Sequence, residues 1–493
     1  MSAIFQDGMV LQRNRPVCIW GTAAGCETVS VKLAGYAAYA EVAHDGAWKA
    51  YLPPMKAATG LELVVTGGEE TVCLRDVAVG EVWLASGQSN MEFLLRYDAH
   101  AQEAVQTDRP DIRCFEVPKI SYPGEENDFD YSSVGCWRKA VGEECLYFTA
   151  VGFYFANRLY ERFKVPVGII NCTWGGTSAA CFTAREYLTG PLARLLEQAE
   201  KANEGLNYDT ALEEYKVIQR RINETPSKMG IVNTAPIYVD EEARRSMEQT
   251  RRYHLAPFSA FRPCGLYATM LCTIAPYTVS GVLWYQGESD TDNADIYDEL
   301  IGAMIRCWRD LWGEELPFFM VQLAPFEYMV EALDFVPIRA SQERICKQQE
   351  KVWLVCAMDA GMRYDIHPKD KRPIGERLAL QVLSKQYGVV LEADSPKAGM
   401  AWREGSVVSI LFTDCGDGLF CEGSPETLEL VADGLPVTSF DAKIDRYKMT
   451  ITSEMFSEVP SGRIEIRFCQ KPYCIDNLYN SAGLPAFPFV VRV

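Results

Sequence analysis

Four short stretches of this sequence carry side chains able to do chemistry. Ser89 follows an apolar run, Val82-Trp-Leu-Ala85, and a Gly-Gln step. That is the strand-to-turn setting that lifts a hydroxyl above an α/β sheet, with adjacent amides and the Asn90 side chain at hand for an oxyanion. The same placement also suits a plain helix N-cap. His367 sits in Asp365-Ile-His-Pro368, just ahead of a helical pattern at Ile374–Leu380. A carboxylate two residues before a histidine can reach Nδ1 and fix the tautomer so that Nε2 faces a nucleophile. A surface histidine in a turn reads the same way. In Gly281-Val-Leu-Trp-Tyr-Gln-Gly-Glu-Ser-Asp290 a strand ends on Gln286, Glu288 and Asp290. Gln286 can donate to an oxyanion, and Glu288 can orient a partner or a substrate hydroxyl, although polar strand ends are also ordinary caps. Asn171-Cys-Thr-Trp-Gly-Gly-Thr177 offers Gly175 and Gly176, which permit close backbone approach and a free amide. A hydroxyl, a base with its carboxylate and amide donors together are the parts for acyl transfer by a serine nucleophile.

The elements that must position these residues are legible as periodicities. Up to about residue 78 the pattern has period two, with Val29, Val31 and Leu33, then Leu61, Leu63 and Val65, as in a small antiparallel sandwich. Residues 79–395 alternate short apolar strands, at Val82–Ala85, Val167–Asn171, Val282–Tyr285, Phe318–Leu323 and Val352–Ala357, with helical stretches such as Ala150–Leu159. This predicts a mostly parallel α/β sheet covered by helices on both faces, with functional residues at the strands' carboxyl ends. A helical insertion is expected at about 183–262, with stripes at Leu192, Leu195, Leu196 and Ala199 and at Leu212, Tyr215, Ile218 and Ile222. From 396 to 493 the period returns to two (Val408, Ile410, Phe412; Leu428, Leu430; Ile464, Ile466, Phe468), predicting a second β-sandwich.

Composition narrows the chemistry. In 493 residues, 48 lysines and arginines face 67 aspartates and glutamates, a net charge of −19 that disfavours nucleic acid and anionic membrane surfaces as partners. There are four histidines, no clustered His/Cys ligand spacing and no phosphate-binding glycine motif. No metal or cofactor is therefore expected. The 17 cysteines are odd in number and lack any C-x-x-C pair, so they read as reduced thiols, with Cys18, Cys73 and Cys356 in the core. With an N-terminus that has no basic, apolar signal pattern, the expectation is a cytoplasmic protein.

Gly80-Glu-Val-Trp-Leu-Ala-Ser-Gly-Gln-Ser-Asn-Met-Glu92, Val282-Leu-Trp-Tyr-Gln-Gly-Glu-Ser289, Asp365-Ile-His-Pro-Lys369 and Gly375-Glu-Arg-Leu-Ala379 together resemble the sialate O-acetylesterase family of the SGNH hydrolase superfamily. The likeness extends to Asp7-Gly-Met-Val-Leu-Gln-Arg13 and to Asn477-Leu-Tyr-Asn480 with Gly483-Leu-Pro-Ala486. It implies a flavodoxin-like parallel sheet flanked by two β-sandwich units, and metal-free hydrolysis of O-acetyl esters on a sugar or oligosaccharide. Ser89 would be the nucleophile, His367 the base and then the acid, and Asp365 the residue orienting His367, with Glu288 its rival. The Ser89 amide, the Gly176 amide and the Gln286 side chain would form the oxyanion hole. Gln88, Asn90, Trp174 and Glu288 would line the substrate site. Three departures stand out. Tyr364 occupies the position, three before the histidine, where the superfamily places aspartate. Ala179-Ala-Cys-Phe182 and Ala268-Thr-Met270 replace residues expected to contact the sugar. Acetylated xylan or mannan fragments are the alternative substrates, and a non-catalytic sugar-binding protein is the alternative from another class.

Overall fold

The structure, a computed structural model, describes residues 1–128, 134–224, 252–327, 333–421, 423, 425 and 427–493. They divide into two compact units, Met1–Phe318 with Gln349–Val352, and Phe319–Gln348 with Trp353–Val493.

The first unit opens with β1 (Val10–Gln12), β2 (Val17–Thr22), β3 (Thr28–Leu33), β4 (Tyr36–Glu41), β5 (Ala47–Leu52) and β6 (Ala58–Gly67). Val29, Val31 and Leu33 of β3 are buried between more exposed neighbours, as the alternation predicts. β3 pairs antiparallel with β4 and β6, and β2 with β5. β7 then runs without a break from Glu70 to Gly87. Its first half pairs antiparallel with β6. Its second half lies parallel between β10 (Val167–Thr173) and β11 (Gly281–Tyr285), once β8 (Arg109–Glu116) and β9 (Trp137–Ala140) are counted in chain order. The strand order is β11-β7-β10-β8-β9. From Val77 to Gly87 every residue of β7 is buried, which is why the run is mostly apolar rather than alternating, with Glu81 and Ser86 its polar members. Cys18 and Cys356 are buried as expected, but Cys73 is exposed. It lies on the outer half of β7, where β6 and β7 form a solvated ribbon, and its thiol donates to Glu62.

Helices cover both faces of this sheet. Phe155, on the helix Ala150–Phe163, packs edge-on against Trp83 of β7 at 5.1 Å. Trp284 of β11 is level with Ser86, an odd number of residues from Trp83, and so points to the other face. There it meets Trp308 of the helix Tyr297–Trp312 at 5.7 Å and 89°. The insertion contains the expected helices, Ala193–Ala202 and Tyr208–Glu224, with Leu195, Tyr215 and Ile218 buried. Residues 225–251 of the insertion, and the Ile222 side chain, lie outside the described residues.

Phe318–Val321 and Val352–Val355, all but their first residues in the second unit, run as neighbouring strands ahead of the helix Arg372–Lys385. Two antiparallel sheets follow. One orders Lys397–Glu404, Val407–Thr413, Lys448–Thr452 and Asp441–Asp445; the other orders Leu435–Pro436, Leu428–Ala432, Ile464–Phe468 and Phe489–Arg492. Phe412 of the first meets Phe489 of the second at 5.5 Å, closing a sandwich whose inner residues are those picked out by the period of two.

A buried charge fixes the amino end of the parallel half of β7. Glu81, 2% exposed, accepts from Arg13 Nε at 2.5 Å, Ser280 Oγ at 2.7 Å and Gln12 Nε2 at 3.3 Å. Removing the cation alone strands the carboxylate. Arg13→Leu should cost about 3 kcal/mol in urea denaturation, and Arg13→Leu with Glu81→Leu distinctly less. A double variant no more stable than the single one would refute this account.

Candidate active site

The carboxyl ends of β10, β7 and β11 stop at one level, with Thr173, Gly87 and Tyr285 in register. Gly87 has φ of +128°, and a Cβ there would lie 2.2 Å from the Tyr285 carbonyl oxygen. Only glycine fits. Beyond it, Gln88 N–H donates to that same oxygen at 3.1 Å, and Trp174 N–H donates to the Gly87 carbonyl at 3.1 Å. The Gln88 side chain is turned inward: its Oε1 accepts from the Gly287 and Ser289 amides at 3.3 and 3.2 Å. Three loops are thereby stitched together by backbone and one amide.

Ser89 is half-buried and is the first residue of the single-turn helix Ser89–Glu92. The cap of that helix is Gln88, and no side chain caps it, so the plain N-cap reading of Ser89 fails. The Ser89 amide donates to no group among the described residues. Asn90 is 2% exposed and donates from Nδ2 to Glu288 Oε1 at 2.5 Å, fixing the helix to the β11 loop. Glu92 holds the neighbouring loop: its Oε2 accepts from the Gly175 amide at 2.6 Å and its Oε1 from Lys119. Lys119 Nζ stands 5.8 Å from the centre of the half-buried Trp174 ring. With the Gly175 amide occupied, the next one is left over. Gly176, at φ +76° and exposed, has no partner for its N–H among the described residues.

Beneath this loop lies a buried carboxylate whose role the sequence reading missed. Asp290, 0% exposed, accepts from Ser178 Oγ at 2.6 Å, from the Ala179 amide at 2.9 Å and from Gln286 Nε2 at 2.7 Å. Gln286 is also wholly buried, and its second Nε2 hydrogen goes to the Thr177 carbonyl at 3.1 Å. Its Oε1 accepts from Tyr297 Oη at 3.1 Å. Both hydrogens of the amide are spent inside the protein, so the expected oxyanion donor is instead a brace for residues 177–179. Ala179-Ala-Cys-Phe182 forms a wholly buried 3₁₀ turn, with Phe182 against Trp284 at 5.9 Å. This departure therefore faces the core and not a sugar. Of the other one, Thr269 and Met270 are buried and Ala268 is exposed.

In the second unit, His367 is half-buried in the loop before the helix Arg372–Lys385. Asp365 accepts from the His367 backbone amide at 2.9 Å through Oδ1 and pairs with Lys369 Nζ at 2.8 Å through Oδ2. Tyr364 is 60% exposed. The helix is anchored by Arg377, whose guanidinium makes a bidentate pair with Asp359 at 2.7 and 2.6 Å and donates to the Cys356 carbonyl.

Residues 263–384, which include Glu288, Asp365 and His367, match the family described as carbohydrate esterase, sialic acid-specific acetylesterase. The chain is 26% identical over 426 residues to the sialate O-acetylesterase of Rattus norvegicus, covering 77% of this chain and 72% of that one. It is 26% identical over 425 residues to the human sialate O-acetylesterase, covering 78% and 71%. Among solved structures, a carbohydrate acetylesterase from Xanthomonas citri superposes with a TM-score of 0.76 at 27% identity, covering 100% of this chain and 99% of that one. The resemblance carried by the sequence motifs recurs in these comparisons, and the expected fold class holds.

Burial raises the Asp290 carboxyl above its ordinary value of 3.8, while the bonds from Ser178, Ala179 and Gln286 oppose the rise. A raised carboxyl binds its proton more tightly in the folded state, so this group costs stability as pH rises from 3.8 through the raised value. Asp290→Asn should remove that pH dependence in urea denaturation. The same variant presents an NH2 to donors, displaces the Gly176 loop and should lower kcat for ester turnover by about ten- to a hundredfold. Unchanged kcat would show that Asp290 does not brace the loop.

Proposed function

We propose that the chain, a carboxylic ester hydrolase of the carbohydrate O-acetylesterase kind, works through Ser89 as nucleophile and His367 as proton carrier. His367 takes the Ser89 proton as Oγ attacks the acetyl carbonyl, because an unassisted serine hydroxyl is a poor nucleophile. The oxyanion is held by the Ser89 and Gly176 amides. His367 then protonates the departing sugar oxygen, and water repeats the sequence on the acetyl-enzyme. The observation that carries this reading is the pair of unpartnered amides, Ser89 and Gly176, on two loops tied together by Trp174 N–H and the Gly87 carbonyl. Amide donors fixed before reaction, rather than recruited during it, are what oxyanion stabilisation needs.

Asp365 acts on His367 through the loop: its carboxylate holds the His367 backbone amide and is itself held by Lys369. Asn90 and Glu288 support the Ser89 turn, and Trp174 offers a sugar an aromatic face. No disulfide joins any of the cysteines among the described residues, which supports a reducing, cytoplasmic setting.

The decisive experiment is acetate release from O-acetylated sialic acids and from acetylated xylo- and manno-oligosaccharides, wild type against Ser89→Ala. One of these classes should turn over, and Ser89→Ala should lose about 10³-fold or more in kcat. Activity surviving in Ser89→Ala would end the nucleophile assignment. Asp365→Asn should lower kcat by about tenfold with KM unmoved. If instead Asp365→Asn is silent, Asp365 does not serve His367.

A further inference from the structure

The helical insertion ends on an aromatic pair that the acyl-transfer chemistry leaves unused. Phe261 is half-buried and His254 is exposed, and their rings stack at 4.6 Å and 17°. The Phe261 ring reaches Gly176: a Cβ on that glycine would stand 3.3 Å from Phe261 Cε1. Gly176 thus has Phe261 against it in space and Trp174 two residues before it in the chain. Hydrogen bonds fix where the ring lies. The Phe261 amide donates to Ser259 Oγ at 3.2 Å, and the Cys264 amide donates to the Ala180 carbonyl at 2.8 Å. Arg262 Nη1 donates to the Ser121 and Ser259 carbonyls, each at 2.5 Å. Asn203 Nδ2, at the end of the helix Ala193–Ala202, donates to the Leu255 carbonyl at 2.8 Å. The neighbouring aromatic of this segment, Phe258, is wholly buried and lies 5.0 Å from the Tyr215 ring. Phe258 serves the core, whereas Phe261 keeps part of its ring open.

We infer that Phe261, backed by His254, is a specificity-determining residue whose ring carries the apolar C–H face of the sugar being deacetylated. This rests on the reading of Ser89 and Gly176 as the acyl-transfer site. The carbonyl and ester oxygens of an acetate share one carbon. An ester whose carbonyl oxygen accepts from the Gly176 amide therefore has its alcohol beginning next to that amide, where the Phe261 ring lies. A pyranose ring presents C–H groups on its faces and hydroxyls around its rim. An aromatic side chain covers such a face while the hydroxyls keep water or polar partners. The stacked His254 ring holds Phe261 from one side, so that little rotamer freedom is lost when the sugar arrives. The favoured substrate class is an acetyl ester on a sugar ring, over an acetyl ester of an open-chain alcohol. The insertion then supplies a wall of the substrate site.

The test compares kcat/KM of the full chain on two acetyl esters. One is the acetylated sugar that the wild type turns over best, and the other is ethylene glycol monoacetate, which has no ring. Phe261→Ala should lower the ratio of the first to the second about tenfold, through KM of the sugar ester. Phe261→Tyr should restore the ratio, and His254→Ala should lower it by a smaller factor. Phe261→Leu, which keeps apolar bulk without an aromatic face, replaces Phe261→Ala if that variant does not fold. An unmoved ratio overturns the assignment, including the case in which both esters slow alike because Phe261 merely supports the Gly176 loop. So does a gain of activity on ethylene glycol monobutyrate with the ratio unmoved, which would make the ring a limit on acyl length. Calorimetric binding of the same sugar ester to Ser89→Ala, with and without Phe261→Ala, reads the contact without turnover. If Ser89→Ala stays active, the nucleophile assignment fails, and the Phe261 comparison still decides the sugar contact by itself.

Discussion

No side chain fits where the three strands of the site end. At Gly87 the backbone must turn within contact of the Tyr285 carbonyl, and everything downstream depends on that approach. It sets Gln88 extended, starts the one-turn helix at Ser89 and brings Trp174 N–H onto the Gly87 carbonyl. The position of Ser89 is set by backbone packing between neighbouring strands. Placement of this kind loses little to side-chain motion, and rigid placement is what makes fixed amide donors effective.

Buried and half-buried carboxylates secure the rest. Glu81 sits at one end of the parallel half of β7, Glu92 and Asp290 at the other, and each spends its oxygens on neighbouring loops or strands. Such groups are costly to desolvate and add little net stability. Their return is directional: each admits one arrangement of donors around it, and mis-set loops leave a buried charge unsatisfied. Asp290 is the clearest case, since it takes the Ala179 amide and the Ser178 hydroxyl while Glu92 takes the Gly175 amide.

The sequence marks the candidate residues at the strand ends more readily than the hydrogen bonds each of them makes. Ser89, Gly176, Gln286 and Glu288 were recognisable because strand ends in an α/β sheet are marked by apolar runs that stop at glycine or polar residues. What could not be read was which hydrogen of which amide is spent. Gln286 is a brace because Thr177 and Asp290 take both its hydrogens, and the Thr177 partner lies more than a hundred residues away along the chain. The same limit explains Ala179–Phe182, whose small residues suggested an altered sugar contact but answer to the bulk of Trp284 and Trp308. Cys73 misled because an apolar neighbourhood in sequence is not one in space where two strands leave the core as a ribbon. Periods of two and of 3.6 were reliable in both units because they report burial alone.

β7 also has a history during synthesis. Its outer half can pair with β6 at once, as a local hairpin. The apolar stretch Val77–Gly87, by contrast, waits for β10 and then β11, which begins only at Gly281. At ribosomal rates of 5–20 residues per second, the second edge stays open for roughly ten to forty seconds after Gly87 is made. An unpaired, largely apolar strand edge is a template for other chains. The nascent protein therefore carries its central strand as its most adhesive segment, and its yield on expression will follow how well that interval is chaperoned.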